Sequence, residues 1–189
     1  SDCDFINSPK IRLILQSSLL IIFVDILNLN ILDLRNDFLN NFISNHYLKI
    51  FFITFCFLVL INGSNFIDGL DGLNLGYFLS ILTIILILSQ SSKIIINENQ
   101  IMILFYVISF LFILNMFNLL YLGDSGSYLI GFLLGYFLIE TNSSNPLISP
   151  YFVALLLWYP AFENLFSIIR KKIIKFDPLD ADNLHFHQL

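Results

Sequence analysis

The chain has 189 residues, of which 57% are hydrophobic and 12% charged, and its formal net charge is −5. Together with a mean hydropathy of +0.82, this composition excludes an ordinary soluble globular domain, and its acidic balance gives no sign of a nucleic-acid partner. The length leaves room for about six membrane-spanning helices of roughly 20 residues each, without a separate soluble domain. We therefore expect a single integral-membrane domain over residues 1–189.

Apolar segments follow one another along the chain, and each is predicted to form a helix. They lie at about 13–31, 47–62, 73–90, 100–117, 127–140 and 151–169. Because backbone amides find no water inside a bilayer, each segment must close its hydrogen bonds internally. The pattern therefore predicts an all-α polytopic transmembrane helix bundle with about six membrane helices. The polar stretches 33–46, 91–99 and 141–150 are predicted loops.

Basic residues are distributed unevenly between the two ends of such a bundle. Six crossings would place the N-terminus, the loops near 63–72 and 118–126, and the tail after 169 on one side. That side carries Lys10, Arg12, Arg170, Lys171, Lys172 and Lys175, whereas the other side carries Arg35, Lys49 and Lys93. Because basic residues are enriched in cytoplasmic loops, the first side is predicted to face the cytoplasm across the plasma (inner) membrane.

Polar clusters fall on the same predicted cytoplasmic side, as does Asp2. Their sequences are Asn62-Gly-Ser-Asn65-Phe-Ile-Asp68-Gly-Leu-Asp71-Gly72-Leu73, Gly123-Asp124-Ser-Gly126-Ser and Asp182-Asn-Leu-His185-Phe-His187. Ionisable groups are costly at a membrane boundary and are typical of functional sites there. A transporter or channel would hold its acidic groups along helix faces nearer the midplane. The clustering therefore favours one site at the cytoplasmic face.

These motifs also have a purely structural interpretation. Asp68 and Asp71, each followed by glycine, are typical of turns when taken alone, and Asp124 alone is typical of a helix cap. The complete loops shift the balance toward function for all three aspartates. Gly131-x-x-x-Gly135 is interpreted differently, as a site of close helix packing.

The chemistry of the clusters indicates a divalent cation and a phosphorylated substrate. Carboxylates without matching cations in the same loops would repel one another unless a hard cation lay between them. Oxygen ligands suit Mg²⁺, with Mn²⁺ as the alternative, and Mg²⁺ in turn suggests a diphosphate substrate. The glycines of both loops permit close approach of the backbone to phosphate oxygens. This inventory is sufficient for phosphoryl transfer, which depends mostly on positioning and charge neutralisation.

The motifs resemble those of the polyprenyl-phosphate N-acetylhexosaminyl-1-phosphate transferases of glycosyltransferase family 4. This family includes the phospho-N-acetylmuramoyl-pentapeptide and undecaprenyl-phosphate N-acetylglucosaminyl-1-phosphate transferases. The loop from Asn62 to Leu73 resembles the family's N-x-x-N-x-x-D-G-x-D-G-L pattern. Residues 123–127 resemble its G-D-x-G-S motif, with Tyr121 as the aromatic residue before Asp124. Further stretches resemble the segment after the family's acidic pair, its last membrane segment and its histidine loop, namely 8–16, 160–163 and 182–187.

The resemblance implies an enzyme that moves a phospho-sugar from a UDP-N-acetylhexosamine to polyprenyl (undecaprenyl) phosphate and releases UMP, for cell-wall or O-antigen-type glycan synthesis. It implies Mg²⁺ binding by Asp124, catalytic roles for Asp2, Asp68 and Asp71, and substrate binding by Asn62, Asn65, Tyr121, His185 and His187. Asp2 is the candidate to position or deprotonate the lipid phosphate. Single and double displacement both stay open, as do the sugar and the glycan. Homodimerisation is an expectation at the level of the family.

The chain departs from the family pattern at two positions. Ser1 stands where the acidic pair has its first aspartate, with Asp2 as the second, and Gln188 stands where some relatives have a further histidine. If the family has about ten helices, as the resemblance implies, this chain is expected to be a C-terminal fragment with about six of them. The alternative function is a noncatalytic membrane scaffold or inactive relative, for which a broken set of motifs is expected.

Overall fold

A computed structural model describes residues 9–69, 72–91 and 98–174, and all the regular secondary structure in these ranges is helical. The helices are α1 (Pro9–Ile26), α2 (Asp37–Ser44), α3 (His46–Ile67), α4 (Leu73–Ser91), α5 (Glu98–Met116), α6 (Gly123–Ser144), α7 (Pro150–Leu156) and α8 (Trp158–Ile174). Each predicted apolar segment coincides with a helix or, for the last one, with the pair α7 and α8. The all-helical class is therefore confirmed for the described residues.

Several predicted boundaries are wrong, and each error has a local cause. The predicted loop 33–46 contains α2, which begins after Asn36 because the Asn36 side chain accepts a hydrogen bond from Leu39 N at 3.2 Å. The predicted loop near 63–72 is helical up to Ile67, because Ile67 is completely buried and continues the apolar packing of α3. The helix of the first segment ends at Ile26 instead of residue 31, because Asn28 adopts a left-handed backbone conformation with a positive φ of 48°. The predicted loop 141–150 is helical at its beginning, since α6 continues to Ser144.

Fewer of the described helices meet the length and apolarity expected of a membrane span than the six segments predicted from the sequence. Within the described residues, His46–Ile67 and Asn99–Met116 are long and apolar enough to cross a membrane. A third span results if Pro150–Leu156 and Trp158–Arg170, which are bent by 63° at their junction, are counted as one. The helices support a helical membrane protein, but the expectation of about six spans is not confirmed.

Helix α3 is the centre of the bundle, and it packs against α1, α2, α6 and α8. Its seam with α6 is close because that helix presents small residues. A Cβ atom added at Gly131 would lie 2.9 Å from the Ser64 Cβ, and one added at Gly135 would lie 2.9 Å from the Leu60 Cδ2. The interpretation of these two glycines as close helix packing is therefore confirmed.

Two apolar clusters hold the helices in register. One cluster joins α4, α5 and α6 through buried residues such as Phe78, Ile108 and Leu134. The other joins α1, α3 and α6, where the Phe23 ring meets the Phe132 ring edge-on at a centroid distance of 4.8 Å. These contacts bring the end of α3, the end of α5 and the beginnings of α1 and α6 to the same end of the bundle.

The junction between α7 and α8 is supported by side chains from other helices. A helix break leaves backbone carbonyls without intrahelical partners, and in hydrocarbon these need another donor. The Tyr77 hydroxyl of α4 donates a hydrogen bond to the Leu156 carbonyl at the end of α7. In the following turn, Gly63 of α3 is so close to Pro160 that an added Cβ would lie 2.2 Å from the Pro160 carbonyl oxygen. The bent pair is thus fixed against the core of the bundle.

Candidate functional site

A polar cavity of about 230 Å³ lies at the end of the bundle where α3 and α5 end and α6 begins. It is lined by Asn65, Asp68, Asn115, Tyr121, Leu122, Gly123 and Asp124. The lining residues come from both predicted motif loops and from the last turn of α5. The cavity therefore joins stretches that are far apart in sequence.

The structure brings together four of the residues predicted from the sequence, namely Asn65, Asp68, Tyr121 and Asp124. Asn62 lies outside the cavity lining, one turn earlier in α3, where its side-chain amide donates to the Leu58 carbonyl at 2.8 Å. The other predicted site residues lie outside the described residues: Asp2, Asp71, His185 and His187. The roles expected of these four residues therefore stay predictions.

Asn65 and Asp68 are positioned by the last turn of α3. The backbone N–H of Asp68, the C-cap residue, donates to the Asn65 carbonyl at 3.3 Å, and the preceding Ile67 is fully buried. The carbonyl end of a helix carries partial negative charge, so a carboxylate at this position raises the negative potential further. This end of α3 therefore favours a cation in the cavity.

Asp124 occupies the opposite electrostatic position, in the first turn of α6. The helix begins at Gly123, whose φ of +63° is a left-handed conformation that glycine adopts without strain. A carboxylate near the N-terminus of a helix is stabilised by the helix dipole. The Asp124 side chain is 65% exposed, so its oxygens are accessible to a ligand in the cavity.

A cation from α1 stands beside this carboxylate. The Arg12 Nη1 lies 3.4 Å from the Asp124 Oδ2 and donates a hydrogen bond to the Tyr128 hydroxyl at 3.1 Å. The Asn65 Nδ2 donates to the same hydroxyl at 3.4 Å. The bond to Tyr128 and, more weakly, the charge of Asp124 raise the pKa of Arg12 above its ordinary value. Arg12 therefore remains a full positive charge beside Asp124, which lines the cavity.

Asn115 is a site residue that the sequence analysis missed. It is buried at the end of α5, and its side chain accepts from the backbone N–H of Gly72 while donating to the Leu120 carbonyl at 2.9 Å. One amide thus holds both motif loops. The signal in the sequence was a polar residue inside the apolar segment 100–117, where an amide needs partners. Tyr128 was also missed, and Arg12 was treated only as a topology residue and as part of the family-like segment.

The cavity is suited in its donor chemistry to the predicted Mg²⁺. Within the described ranges, no group of three or more His, Cys, Asp or Glu side chains is arranged to enclose a metal. Mg²⁺, however, commonly binds through one or two carboxylates, retained waters and substrate phosphates. The carboxylates of Asp68 and Asp124 line one cavity, and this set fits that open mode of binding.

Comparison with known proteins gives consistent matches. The model of the family described as "Glycosyl transferase family 4" matches residues 4–142. The chain is 31% identical over 154 residues to the decaprenyl-phosphate N-acetylglucosaminephosphotransferase of Mycolicibacterium smegmatis, covering 68% of this chain and 37% of that protein. It is 29% identical over 144 residues to the undecaprenyl-phosphate alpha-N-acetylglucosaminyl 1-phosphate transferase of Thermotoga maritima, covering 74% and 42%.

A third relative is the probable undecaprenyl-phosphate N-acetylglucosaminyl 1-phosphate transferase of Bacillus subtilis, 31% identical over 129 residues, with 67% and 36% coverage. The chain therefore spans about two fifths of the length of the curated relatives that it matches. No solved structure shows significant similarity to it. The matched family region includes all four predicted residues that line the cavity.

Proposed function

Because the chain belongs to glycosyl transferase family 4, we propose that the protein transfers a phosphorylated N-acetylhexosamine from a UDP-activated donor to a polyprenyl phosphate. The observation that carries this proposal is the shared cavity, where Asn65 and Asp68 of one motif meet Tyr121 and Asp124 of the other. The names of the relatives support a polyprenyl phosphate acceptor and N-acetylglucosamine as the first sugar to test.

The reaction requires one phosphorus–oxygen bond to form and one to break. An oxygen of the polyprenyl phosphate attacks the sugar-bearing phosphorus of the donor, and the bond from that phosphorus to the UMP oxygen breaks. The products are a lipid-linked diphosphate sugar and UMP. An ionised lipid phosphate needs no base for this attack, so the main task of the protein is to position two anions and neutralise their repulsion.

Charged residues of the cavity are proposed to perform that task. Asp124, with Asp68 beside the same cavity, would hold Mg²⁺. When bound, Mg²⁺ supplies positive charge that stabilises the negative charge developing on departing UMP. Arg12 places a second positive charge beside Asp124. These two cations would lie on the carboxylate side of the cavity, where a diphosphate needs them.

The nucleotide and sugar are proposed to lie toward the other lining residues. Tyr121 is 75% exposed at the cavity, so its ring presents a face on which a planar base can stack. The Asn65 side chain lines the same cavity and offers amide hydrogen bonds. By the family resemblance, Asp2 would position the lipid phosphate, Asp71 would organise the site, and His185 and His187 would contact the diphosphate or the sugar.

The arrangement of the helices supports a single face for the site. With six crossings, the beginnings of α1, α4 and α6 and the ends of α3 and α5 would lie on one side of the membrane. The contacts between Arg12 and Asp124, and between Gly72 and Asn115, join elements that this alternation places together. We therefore propose six crossing elements, with α7 and α8 as one bent element, and a cavity open to the cytoplasm.

The test uses the complete encoded protein in membranes or detergent, with polyprenyl phosphate, Mg²⁺ and a panel of UDP-N-acetylhexosamines. UMP release is followed for the wild type, for Asp124→Asn and for Asp37→Asn as a control. Asp37 is an exposed carboxylate in the first turn of α2, remote from the cavity. We expect Asp124→Asn to lower the rate by about 100-fold or more because a charged ligand is lost, and Asp37→Asn to leave it unchanged.

UMP release that requires lipid and Mg²⁺, and that is lost only in Asp124→Asn, would support the transferase and identify its donor. Two results would contradict the proposal. One is the absence of UMP from every donor with folded protein and lipid present, which favours the noncatalytic scaffold. The other is an Asp124→Asn protein that is as active as Asp37→Asn, which would remove Asp124 from the reaction.

A further inference from the structure

The Tyr128 hydroxyl joins three helices at the edge of the cavity. Tyr128 lies on α6 one turn after Asp124, and its oxygen accepts hydrogen bonds from Arg12 of α1 at 3.1 Å and from Asn65 of α3 at 3.4 Å. A phenolic oxygen has two acceptor positions, so both bonds are accommodated by one atom. This hydroxyl is the point at which a predicted cavity residue and the neighbouring cation are held together.

The ion pair between Arg12 and Asp124 cannot hold the guanidinium in place on its own. The two side chains are 39% and 65% exposed, and their nearest atoms are 3.4 Å apart. An exposed pair of this kind contributes at most about 1 kcal/mol, and a long side chain loses entropy when it is fixed. The Tyr128 bond is shorter and partly buried, so it is the stronger constraint on Arg12.

We propose that Tyr128 is a positioning residue that holds the Arg12 guanidinium beside Asp124, where its charge faces the phosphates of the substrate. The inference rests on the proposed function for the identity of the substrate, but the binding of a diphosphate tests it directly. Tyr128 is not one of the residues that line the cavity, so its hydroxyl acts through Arg12. Removing its hydroxyl leaves Arg12 in the chain and frees its side chain to point elsewhere.

The experiment measures calorimetrically the binding of inorganic pyrophosphate with Mg²⁺ to the complete encoded protein in detergent. The variants are Tyr128→Phe, Arg12→Gln and the double variant. Tyr136→Phe is the matched control, since Tyr136 lies on the same helix outside the cavity lining. We expect Tyr128→Phe to weaken binding by about tenfold, because a hydrogen bond to a charged group is lost. The double variant should bind no more weakly than Arg12→Gln alone, because Tyr128 acts through Arg12.

The inference is overturned if the wild type does not bind pyrophosphate, if Tyr128→Phe binds like the wild type, or if Tyr136→Phe weakens binding equally. It is also overturned if the two single effects multiply in the double variant. Thermal unfolding of Tyr128→Phe and Tyr136→Phe checks that both are folded. If Tyr128→Phe is not, Tyr128→Trp, which removes the hydroxyl acceptor but retains an aromatic ring, replaces it under the same criteria.

UMP release separates this inference from the proposed function. Wild-type UMP release with unchanged pyrophosphate binding in Tyr128→Phe would retain the transferase and reject the positioning role. The opposite result is also possible: Tyr128→Phe and Arg12→Gln weaken pyrophosphate binding without multiplying in the double variant, but the protein makes no UMP from any donor. That result would reject the transferase and retain the positioning role. In an active protein, we expect Tyr128→Phe to raise the KM for the donor by about tenfold and to alter kcat much less.

Discussion

The two ends of the bundle contain similar polar side chains but use them differently. At one end, Asp68 and Asp124 line a cavity of about 230 Å³. At the other end, Asp33 accepts from the Asn40 side chain at 2.7 Å and from the backbone N–H of Arg35 at 2.6 Å. Arg35 in turn donates to the Pro146 carbonyl at 3.2 Å. Asp33 and Arg35 thus connect chain segments to one another, and neither lines the polar cavity at the first end.

This difference shows that polar content alone does not indicate a site in a membrane protein. Both ends have aspartates, an arginine and asparagines close to helix termini. The distinction lies in the surroundings of the carboxylates, since Asp68 and Asp124 line one cavity, whereas Asp33 accepts two short hydrogen bonds from residues nearby in the chain. Carboxylates from separate helices that line one cavity are therefore the better indication of ligand binding.

The largest expected effect comes from replacing a buried asparagine at the cavity end of the bundle, which is compared with the same replacement at the opposite end. Asn115→Leu removes the acceptor of Gly72 N–H and the donor to the Leu120 carbonyl. Leaving these groups without partners is expected to cost about 2–4 kcal/mol of unfolding free energy. Displacement of the motif loops should also lower UMP release by about 100-fold. Thermal unfolding and the UMP assay on the complete protein in detergent measure the two effects.

Asn142→Leu is the matched variant at the opposite end. The Asn142 amide is also buried, and it donates to the Ile148 carbonyl at 2.9 Å in the turn before α7. We expect a loss of about 1–3 kcal/mol in stability, with unchanged turnover of the folded protein. Equal losses of turnover in the two variants would show that the ends do not differ in function.

A smaller effect is expected from glycines that face different kinds of neighbours. A Cβ at Gly63 would lie 2.2 Å from the Pro160 carbonyl oxygen, a backbone atom that cannot move without shifting α8. Gly63→Ala should therefore cost about 1–3 kcal/mol. It should also reduce UMP release, because Asn65 and Asp68 follow within the next turns.

Gly135→Ala serves as the comparison for that variant. The Cβ that it adds would lie 2.9 Å from the end of the Leu60 side chain and 3.0 Å from the Phe57 ring, which are side-chain atoms and not backbone, farther along α6 from the cavity. Its cost should be smaller than that of Gly63→Ala, because side chains can shift more easily than the backbone of α8. Thermal unfolding of both variants in the same detergent compares their losses of stability. A larger loss for Gly135→Ala than for Gly63→Ala would contradict this description of the α3–α8 contact.

The apolar segments predicted the helices of the bundle because hydrocarbon requires internal hydrogen bonds along every crossing. The apolar pattern did not predict α2, whose eight residues lie in a polar stretch and bury only Ile43. It also missed the 63° bend between α7 and α8, for which Pro160 was an insufficient indication. Short amphipathic helices and bends depend on the packing of neighbours, which a single segment does not encode.

The candidate site, like the fold, was predicted only in part from the sequence. Asn65, Asp68, Tyr121 and Asp124 were predicted to lie near one another because their segments end on the same side of an alternating bundle, and they line one cavity. Asn115 and Tyr128 escaped prediction because both lie within or beside apolar segments and act through partners distant in sequence. Their importance depends on tertiary contacts. The roles of all these residues in catalysis are still predictions.

The smallest expected effect concerns pH at the end remote from the cavity. The hydrogen bond from Asn40 and that from the Arg35 backbone lower the pKa of Asp33 below its ordinary value of 3.8. A lowered pKa in the folded state means that the ionised form stabilises the fold. This contribution is complete well above pH 3.8 and is lost as the pH falls through that value and then through the folded-state pKa.

Asp33→Asn should therefore lower the thermal unfolding temperature slightly at neutral pH, and the difference from wild type should shrink as the pH falls below about 4. Asn40→Ala should reduce the pH-dependent part in the same direction, since it removes the strongest cause of the pKa shift. Asn41→Ala, on the same helix, is the control and should retain the wild-type pH dependence. Because Asp33 is fully exposed, the effect is small, and UMP release should not change in any of these variants. A loss of UMP release in Asp33→Asn would mean that this end of the bundle also contributes to the reaction.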